Sequence, residues 1–224
     1  MKIIAHIRTD FKTKFGLPRQ SGLVEAVKGR IVFEHEYRNR DAFKGLEDFS
    51  HIWLIWQFSE AVRDNWSPTV RPPKLGGNTR MGVFATRSPF RPNPIGLSAV
   101  KLEKIEYTKT EGPVLLVSGC DLEDNTPIYD IKPYLSFADS VPDATGGFTD
   151  ALCLKPLAVS FAENVADCLT EQQKNTLVSV LEQDPRPSYQ EDPERVYGFL
   201  FAEYEVKFKA DGTNVIVVEI KKAE

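Results

Sequence analysis

The chain reads as a mainly β protein: an antiparallel sheet or closed barrel, not a Rossmann-type doubly wound one, followed by a small α+β appendage. Three features predict this. Strand-length apolar segments, rich in β-branched and aromatic residues, recur between clusters of Gly, Pro, Asn and Asp. No regular helix alternates with them, which removes the doubly wound α/β architectures. A Pro/Asp/Gly-rich stretch, Val141 to Asp150, then separates this pattern from one helical segment and an alternating hairpin.

The elements follow in order. Ile3 to Arg8 is a strand, and Leu23 to Glu34 reads as strand or hairpin around Lys28-Gly29-Arg30. Asn39 to Phe49 combines a capping residue with helical spacing of Phe43, Leu46 and Phe49, which predicts a short helix. His51 to Phe58 is a strand in which Trp53 and Trp56 fall on opposite faces by parity. Arg63 to Thr79, with Pro68, Pro72, Pro73, Gly76 and Gly77, predicts an irregular excursion. Leu97 to Tyr107 and Val114 to Cys120 form a long antiparallel pair, and Thr126 to Tyr134 adds another extended segment. In the appendage, Ala162 to Glu182 predicts one helix, ended by Asp184-Pro185-Arg186-Pro187. Tyr197 to Lys209 and Asn214 to Lys221 predict a hairpin around Asp211-Gly212. The domains expected are 1–145 and 155–224.

At 224 residues and 42% hydrophobic content the chain can bury a substantial core. Its longest strongly apolar run, Ile52 to Phe58, is too short to span a bilayer, and Met1 to Arg8 lacks the regions of a signal peptide. A cytoplasmic protein is expected. Cys120, Cys153 and Cys168 are odd in number and widely spaced, which predicts buried reduced thiols rather than disulfides. His6, His35 and His51 show no metal-ligand spacing, so no metal is expected. The net charge of −4 excludes a protein coated for nonspecific nucleic-acid binding. Between Ala61 and Pro92, however, Arg63, Arg71, Lys74, Arg80, Arg87 and Arg91 face only Asp64, a local patch suited to phosphates.

The most informative segment runs from Arg80 to Gly96. Arg80, Arg87 and Arg91 share it with Pro89, Pro92 and Pro94, which fix φ and remove donors, so the guanidinium groups hang from a stiffened loop. A rigid connector or a polyproline ligand explains an isolated Pro/Arg stretch, but here the flanking segments argue for a binding loop. Asp121 to Pro127 is a second polar cluster. Asp-Asn-Thr-Pro is a good turn in its own right, yet its carboxylates, amide and hydroxyl also suit a ribose or an adenine edge. The chain has no Gly-x-Ser-x-Gly elbow, phosphate-binding P-loop or Gly-x-Gly-x-x-Gly turn, which disfavours hydrolases, P-loop NTPases and Rossmann enzymes.

Five segments together resemble the TsaA-like, or YaeB, family, whose characterised members are TrmO-type tRNA methyltransferases. They are Pro18-Arg19-Gln20, Gly45 to Trp53, Arg71 to Gly77, Arg80 to Gly96, and Asp124 to Tyr134. The match runs through about the first 140 residues, and the tail from Lys155, with Gln183 to Tyr189, is similar to the family's C-terminal appendage. The resemblance implies an S-adenosyl-L-methionine-dependent enzyme on a β-barrel, a homodimer that methylates N6 of the threonylcarbamoyladenosine beside the anticodon of its tRNA substrate. Carried over by motif, cofactor contacts fall on Pro18, Arg19, Gln20, His51, Ile52, Arg87, Leu97, Asp124, Asn125, Thr126 and Pro127. The family usually has glycine at position 125, which asparagine can replace if the backbone there is left-handed. Asn93 and Arg91 are expected at the reacting end. There Asn93-Pro94, by analogy with Asn-Pro motifs in unrelated adenine methylases, orients the acceptor amine. Arg80 and Arg91 are assigned to tRNA phosphates and Arg87 to the cofactor carboxylate. The competing class is a barrel that binds S-adenosylmethionine or RNA without turnover.

Overall fold

A computed structural model describes the whole chain except residues 60, 61, 63, 64, 76, 77, 152–154, 187–191 and 224; at position 74 it describes the backbone alone. The N-terminal part contains β1 (Ala5–Thr9), β2 (Lys28–Phe33), β3 (His51–Gln57), β4 (Thr69–Val70), β5 (Met81–Gly82), β6 (Ile95–Thr108), β7 (Gly112–Ser118) and β8 (Pro127–Pro133). Six of these close a barrel in the order β1-β2-β7-β6-β3-β8, with every neighbouring pair antiparallel. Closure removes the exposed strand edges of an open sheet.

Alternation along the strands fills the barrel. Ile7, Ile31, Ile52, Leu54, Leu115 and Ile128 are all fully buried. Trp56 is 6% exposed whereas Trp53 is only half-buried and donates its Nε1–H to Asp139 at 3.0 Å, so parity places the two indoles as expected. The 14-residue β6 pairs with β3 through its first half and with β7 through its second. Its register slips between Leu102 and Lys104, and such a bulge lets one long strand turn between two partners.

Glu103 stands at that slip and ties the outer face together. Its carboxylate accepts from the Ser118 hydroxyl at 2.7 Å and from Lys28 at 3.0 Å, which hold its pKa down at about 2. A depressed carboxylate stabilises the fold above its ordinary value of 4.5, and that contribution fades as pH falls toward about 2. Glu103→Gln is therefore expected to lower Tm at pH 7 and to match wild type near pH 2, measured by calorimetry.

After the barrel come α1 (Ser136–Asp139), β9 (Ala158–Phe161), α2 (Glu171–Leu181), β10 (Tyr197–Phe201), β11 (Tyr204–Ala210) and β12 (Asn214–Lys222). The second sheet has the order β10-β11-β12-β9, with β9 parallel to β12. Leu177 and Leu181 of α2 are fully buried, and the aromatic side chains of the sheet meet the barrel's β1–β2 loop. Phe11 contacts Phe201 at 5.4 Å between centroids, and Phe15 lies among Tyr197, Phe199 and Phe208. Among the described residues no helix is long and apolar enough to cross a membrane.

Five expectations change. Residues 39–49 form two 3-10 turns, Arg40–Phe43 and Leu46–Asp48, rather than a helix. Asn39 does cap the first, accepting from the Asp41 amide at 3.0 Å, but Lys44 is extended and Gly45 has φ +80°, which breaks the hydrogen-bond ladder. The helix expected over 162–182 begins only at Glu171, where Thr170 and Gln173 form a capping box. The run Tyr197 to Lys209 is two strands, because Ala202 turns the chain at φ +52°. Strand β9 was not anticipated. Cys168 is exposed, unlike buried Cys120, while Cys153 lies outside the described residues.

Candidate functional site

Because all neighbouring barrel strands are antiparallel, the ends of β1, β3 and β7 share one rim with the beginnings of β2, β6 and β8. Three connections converge there: residues 10–27, 58–94 and 119–126. They carry Pro18, Arg19, Gln20, Arg87, Arg91, Asn93 and Asp124 to Thr126, with Leu97 and Pro127 on the adjoining strand ends. His51 and Ile52 instead open β3 at the opposite rim, about 20 Å away along the strand. His51 is exposed, with Nδ1 2.9 Å from the Ser50 hydroxyl, whereas Ile52 faces the barrel core. Within one chain the structure does not bring these two to the other candidates.

The first connection is fixed by burial. Gly16, at φ +95°, lies so close to Phe199 that a Cβ there would meet the ring at 2.5 Å. Pro18 is buried, and the Arg19 guanidinium donates from Nη2 to the Arg186 carbonyl at 2.8 Å. Arg186 is itself locked: Nε and Nη2 donate to Asp184 at 2.9 and 3.2 Å, and Nη1 to the Ala210 carbonyl at 2.8 Å. The appendage thus braces the loop that holds Arg19. Burial lowers the Arg19 pKa, and its Nε is buried without a partner among the described residues, a donor that a ligand can satisfy.

The second connection is the proline-braced loop. Arg87 donates from Nη1 to the Gln20 side-chain oxygen, joining the two connections. Thr86 and Ser88 hydroxyls accept from the Ser88 and Phe90 amides at 3.2 and 3.3 Å, which stiffens the turn. Arg91 folds back onto its own loop, donating to the Thr86 and Ser88 carbonyls at 3.1 and 3.4 Å. Asn93 is exposed, and its carbonyl accepts from the Ile95 amide at 2.8 Å across Pro94. Arg80 is exposed and has no hydrogen-bond or ion-pair partner among the described residues.

In the third connection Asn125 has φ +66°, the left-handed conformation that glycine takes readily. Its amide donates to the Ile7 carbonyl at 2.7 Å. Asp124 accepts from the Thr9 amide at 3.1 Å and pairs with Lys12 at 2.7 Å, so its carboxylate holds the turn. Thr126 donates to the Glu123 carbonyl at 2.8 Å. An open depression of about 590 Å³ lies against this turn, lined among others by His6, Thr13, Ser59, Asp124, Asn125 and Pro127.

A buried polar chain runs beneath the rim. Trp56 donates from Nε1 to Ser98 Oγ at 2.9 Å, and Ser98 donates to Asp121 Oδ1 at 2.6 Å. Asp121 also accepts from the Ser21 amide and lies near Arg87. Burial pushes the Asp121 pKa up, against the pull of these donors and of Arg87. Sequence reading gave Ser98 and Arg186 no role in the site. The available signal for Ser98 was one hydroxyl in the inward phase of an otherwise apolar strand, between Gly96 and Val100. Among the described residues no cluster of His, Cys, Asp and Glu could hold a metal ion.

A closed barrel whose rim gathers guanidinium, amide and turn donors from three loops defines a non-Rossmann β-barrel protein with a polar, loop-built rim. The chain belongs to the tRNA-methyltransferase O family, and so to a family of tRNA methyltransferases: residues 6–140 match the model of its N-terminal domain and 154–223 that of its C-terminal domain. The tRNA (adenine(37)-N6)-methyltransferase of Escherichia coli (strain K12) is 44% identical over 214 residues, covering 92% of this chain and 91% of that protein. A Pseudomonas aeruginosa protein described as a putative S-adenosylmethionine-dependent methyltransferase, RcsF, is 42% identical, covering 87% and 85%. A crystal structure of TrmO from Pseudomonas aeruginosa superposes with a TM-score of 0.79 at 33% identity, covering 98% of this chain and 96% of that one.

Proposed function

We propose that this chain is an S-adenosyl-L-methionine-dependent tRNA methyltransferase that converts threonylcarbamoyladenosine beside the anticodon to its N6-methyl form. The same reading makes it a cytoplasmic homodimer, with residues 1–145 as the donor-binding unit and 155–224 as a separate unit that supports it. The observation that carries it is the Arg87–Gln20 contact, which joins two distant, motif-bearing loops on the same rim as the Asp124–Pro127 turn. The residues fit the methyl donor. Arg87 and the unsatisfied Nε of Arg19 suit its carboxylate, and the turn beside the depression offers polar groups to its adenosine part.

When bound, the donor supplies an electrophilic methyl group on a sulfonium, so transfer needs neither a metal nor a covalent enzyme intermediate. What remains for the protein is to hold the acceptor nitrogen in line and to take up the proton that N6 loses. In this reading the exposed Asn93, on a loop stiffened by Pro92 and Pro94, accepts a hydrogen bond from that amine. Arg91, pinned to the Thr86 and Ser88 carbonyls, keeps the loop in shape while its outer nitrogens face phosphate. In this reading His51 enters the same site from a second copy of the chain, in keeping with a homodimer, whereas the Ile52 side chain is buried in the barrel core and makes no contact there.

The test is methyl transfer from labelled donor to tRNA taken from cells that lack the modification, with nucleoside analysis of the product. Labelled N6-methylated threonylcarbamoyladenosine is expected; donor binding without transfer would instead favour a non-catalytic module. Arg87→Ala is expected to weaken donor binding roughly 10- to 100-fold by calorimetry, the worth of a charge-assisted hydrogen bond. A variant that binds like wild type removes Arg87 from the site.

A further inference from the structure

The excursion between β3 and β6 carries a feature that the rim site does not use. Trp66 and Phe84 stack on one another, with centroids 6.0 Å apart and rings inclined by 22°, yet they are 49% and 72% exposed. Large aromatic rings left in water on a soluble surface mark a contact site rather than a core. Their backbone is braced. The Ser67 amide donates to the Phe90 carbonyl at 3.2 Å and the Val83 amide to the Pro68 carbonyl at 3.0 Å, so the rings are held ready before any partner arrives.

What surrounds the pair decides the kind of partner. Strands β4 and β5 pair Thr69 with Gly82 and Val70 with Met81, and Arg71 and Arg80 are the residues that adjoin the two strands at the same end of this ribbon. Both arginines are exposed, and Asp64 is the one acidic residue between Ala61 and Pro92. A flat π-face at one end of a short ribbon and two guanidinium groups at the other match a single-stranded nucleic acid, in which every base offers a face and every linkage a negative charge. A protein partner would be met by apolar or acidic complements, and the arginine end favours the polyanion.

We propose that Trp66 and Phe84 form a platform on which an unpaired base of the RNA substrate stacks, with Arg71 and Arg80 on the neighbouring phosphates. The inference rests on the tRNA reading above and extends it by placing substrate contacts outside the donor site.

The experiment titrates a fluorescently labelled anticodon stem-loop against wild-type protein and the variants Phe84→Ala, Phe84→Leu, Phe84→Tyr and Arg71→Gln/Arg80→Gln. Light scattering and donor calorimetry on each variant accompany the titrations. Phe84→Ala and Phe84→Leu are expected to weaken RNA binding roughly 5- to 100-fold with donor affinity unchanged, and Phe84→Tyr to restore it. The double arginine variant is expected to flatten the salt dependence by about two units of slope. If Phe84→Leu binds RNA as wild type does, the stacking platform is refuted. If instead the alanine and leucine variants change the oligomeric state, the face is an interface between copies and the proposal is equally overturned. Wild-type protein that binds no stem-loop defeats the tRNA reading itself, a result separable from either.

Discussion

Replacing Gly96 with alanine is expected to cost the fold about 2–4 kcal/mol, more than most single added methyl groups, and to abolish donor binding in whatever protein remains folded. Gly96 pairs directly with Trp56 across the β3–β6 ladder, and the indole packs against it. A Cβ at this position would collide with the Trp56 ring, with no flexible side chain in the way to yield. The indole would tilt off the strand, and its Nε1–H would lose Ser98, which in turn holds Asp121. One methyl group therefore strikes both the packing of the barrel and the polar chain beneath the rim. Calorimetry should show Tm lowered by roughly 5–10 °C, while a variant within a degree of wild type would show that the ring can shift at little cost.

Gly96 also shows what the sequence makes legible. In the sequence it closes an arginine- and proline-rich loop, and the structure sets that loop at the rim, but the reason for a glycine lies in an aromatic ring forty residues away in the chain. The barrel strands were readable because each carries its own alternation and its own flanking turn. Strand β9 was not, because it is four residues long and finds its parallel partner more than fifty residues later, with no hairpin to announce it. Local propensity misled at Asn39 to Phe49, where spacing suited a helix until Gly45 took a positive φ, and at Ala202, where an ordinary alanine makes the turn.

The site divides in the same way. Residue types and loops were legible; pairings were not. That Arg87 would meet Gln20, and that Arg91 would spend one nitrogen on its own loop, follow from tertiary placement alone. The support given to Arg19 by Arg186 links two halves of the chain that composition separates, and makes the appendage part of the site's architecture.

Asp121 is where stability and binding meet, and its replacement by alanine is expected to cost about 2–4 kcal/mol at neutral pH. Two donors, the Ser98 hydroxyl and the Ser21 amide, would be left without their acceptor, at about 1–3 kcal/mol each, offset in part by no longer burying a carboxylate. The pH dependence identifies the mechanism. Burial raises the native pKa of Asp121 above its ordinary value of 3.8, so in the window between the two the folded protein holds a proton that the unfolded chain has released. Stability then falls as pH climbs from 3.8 through the raised native value, and levels off beyond it. The groups that face this carboxylate are few. Arg87 opposes the rise in its pKa, and the neighbouring Cys120 thiol is kept neutral by its own burial. Asp121→Asn removes the titration while keeping the shape. The Tm of that variant, measured against wild type at pH 4, 5.5 and 7, is therefore expected to improve in relative terms as pH rises. At pH 7 Asp121→Ala is further expected to bind the methyl donor at least tenfold more weakly, since the loop at Ser21, which carries Gln20 and through it positions Arg87, loses its anchor. A flat difference in Tm across the pH series would mean that Asp121 carries no buried charge, and would leave the chain from Trp56 to the rim as a packing feature alone.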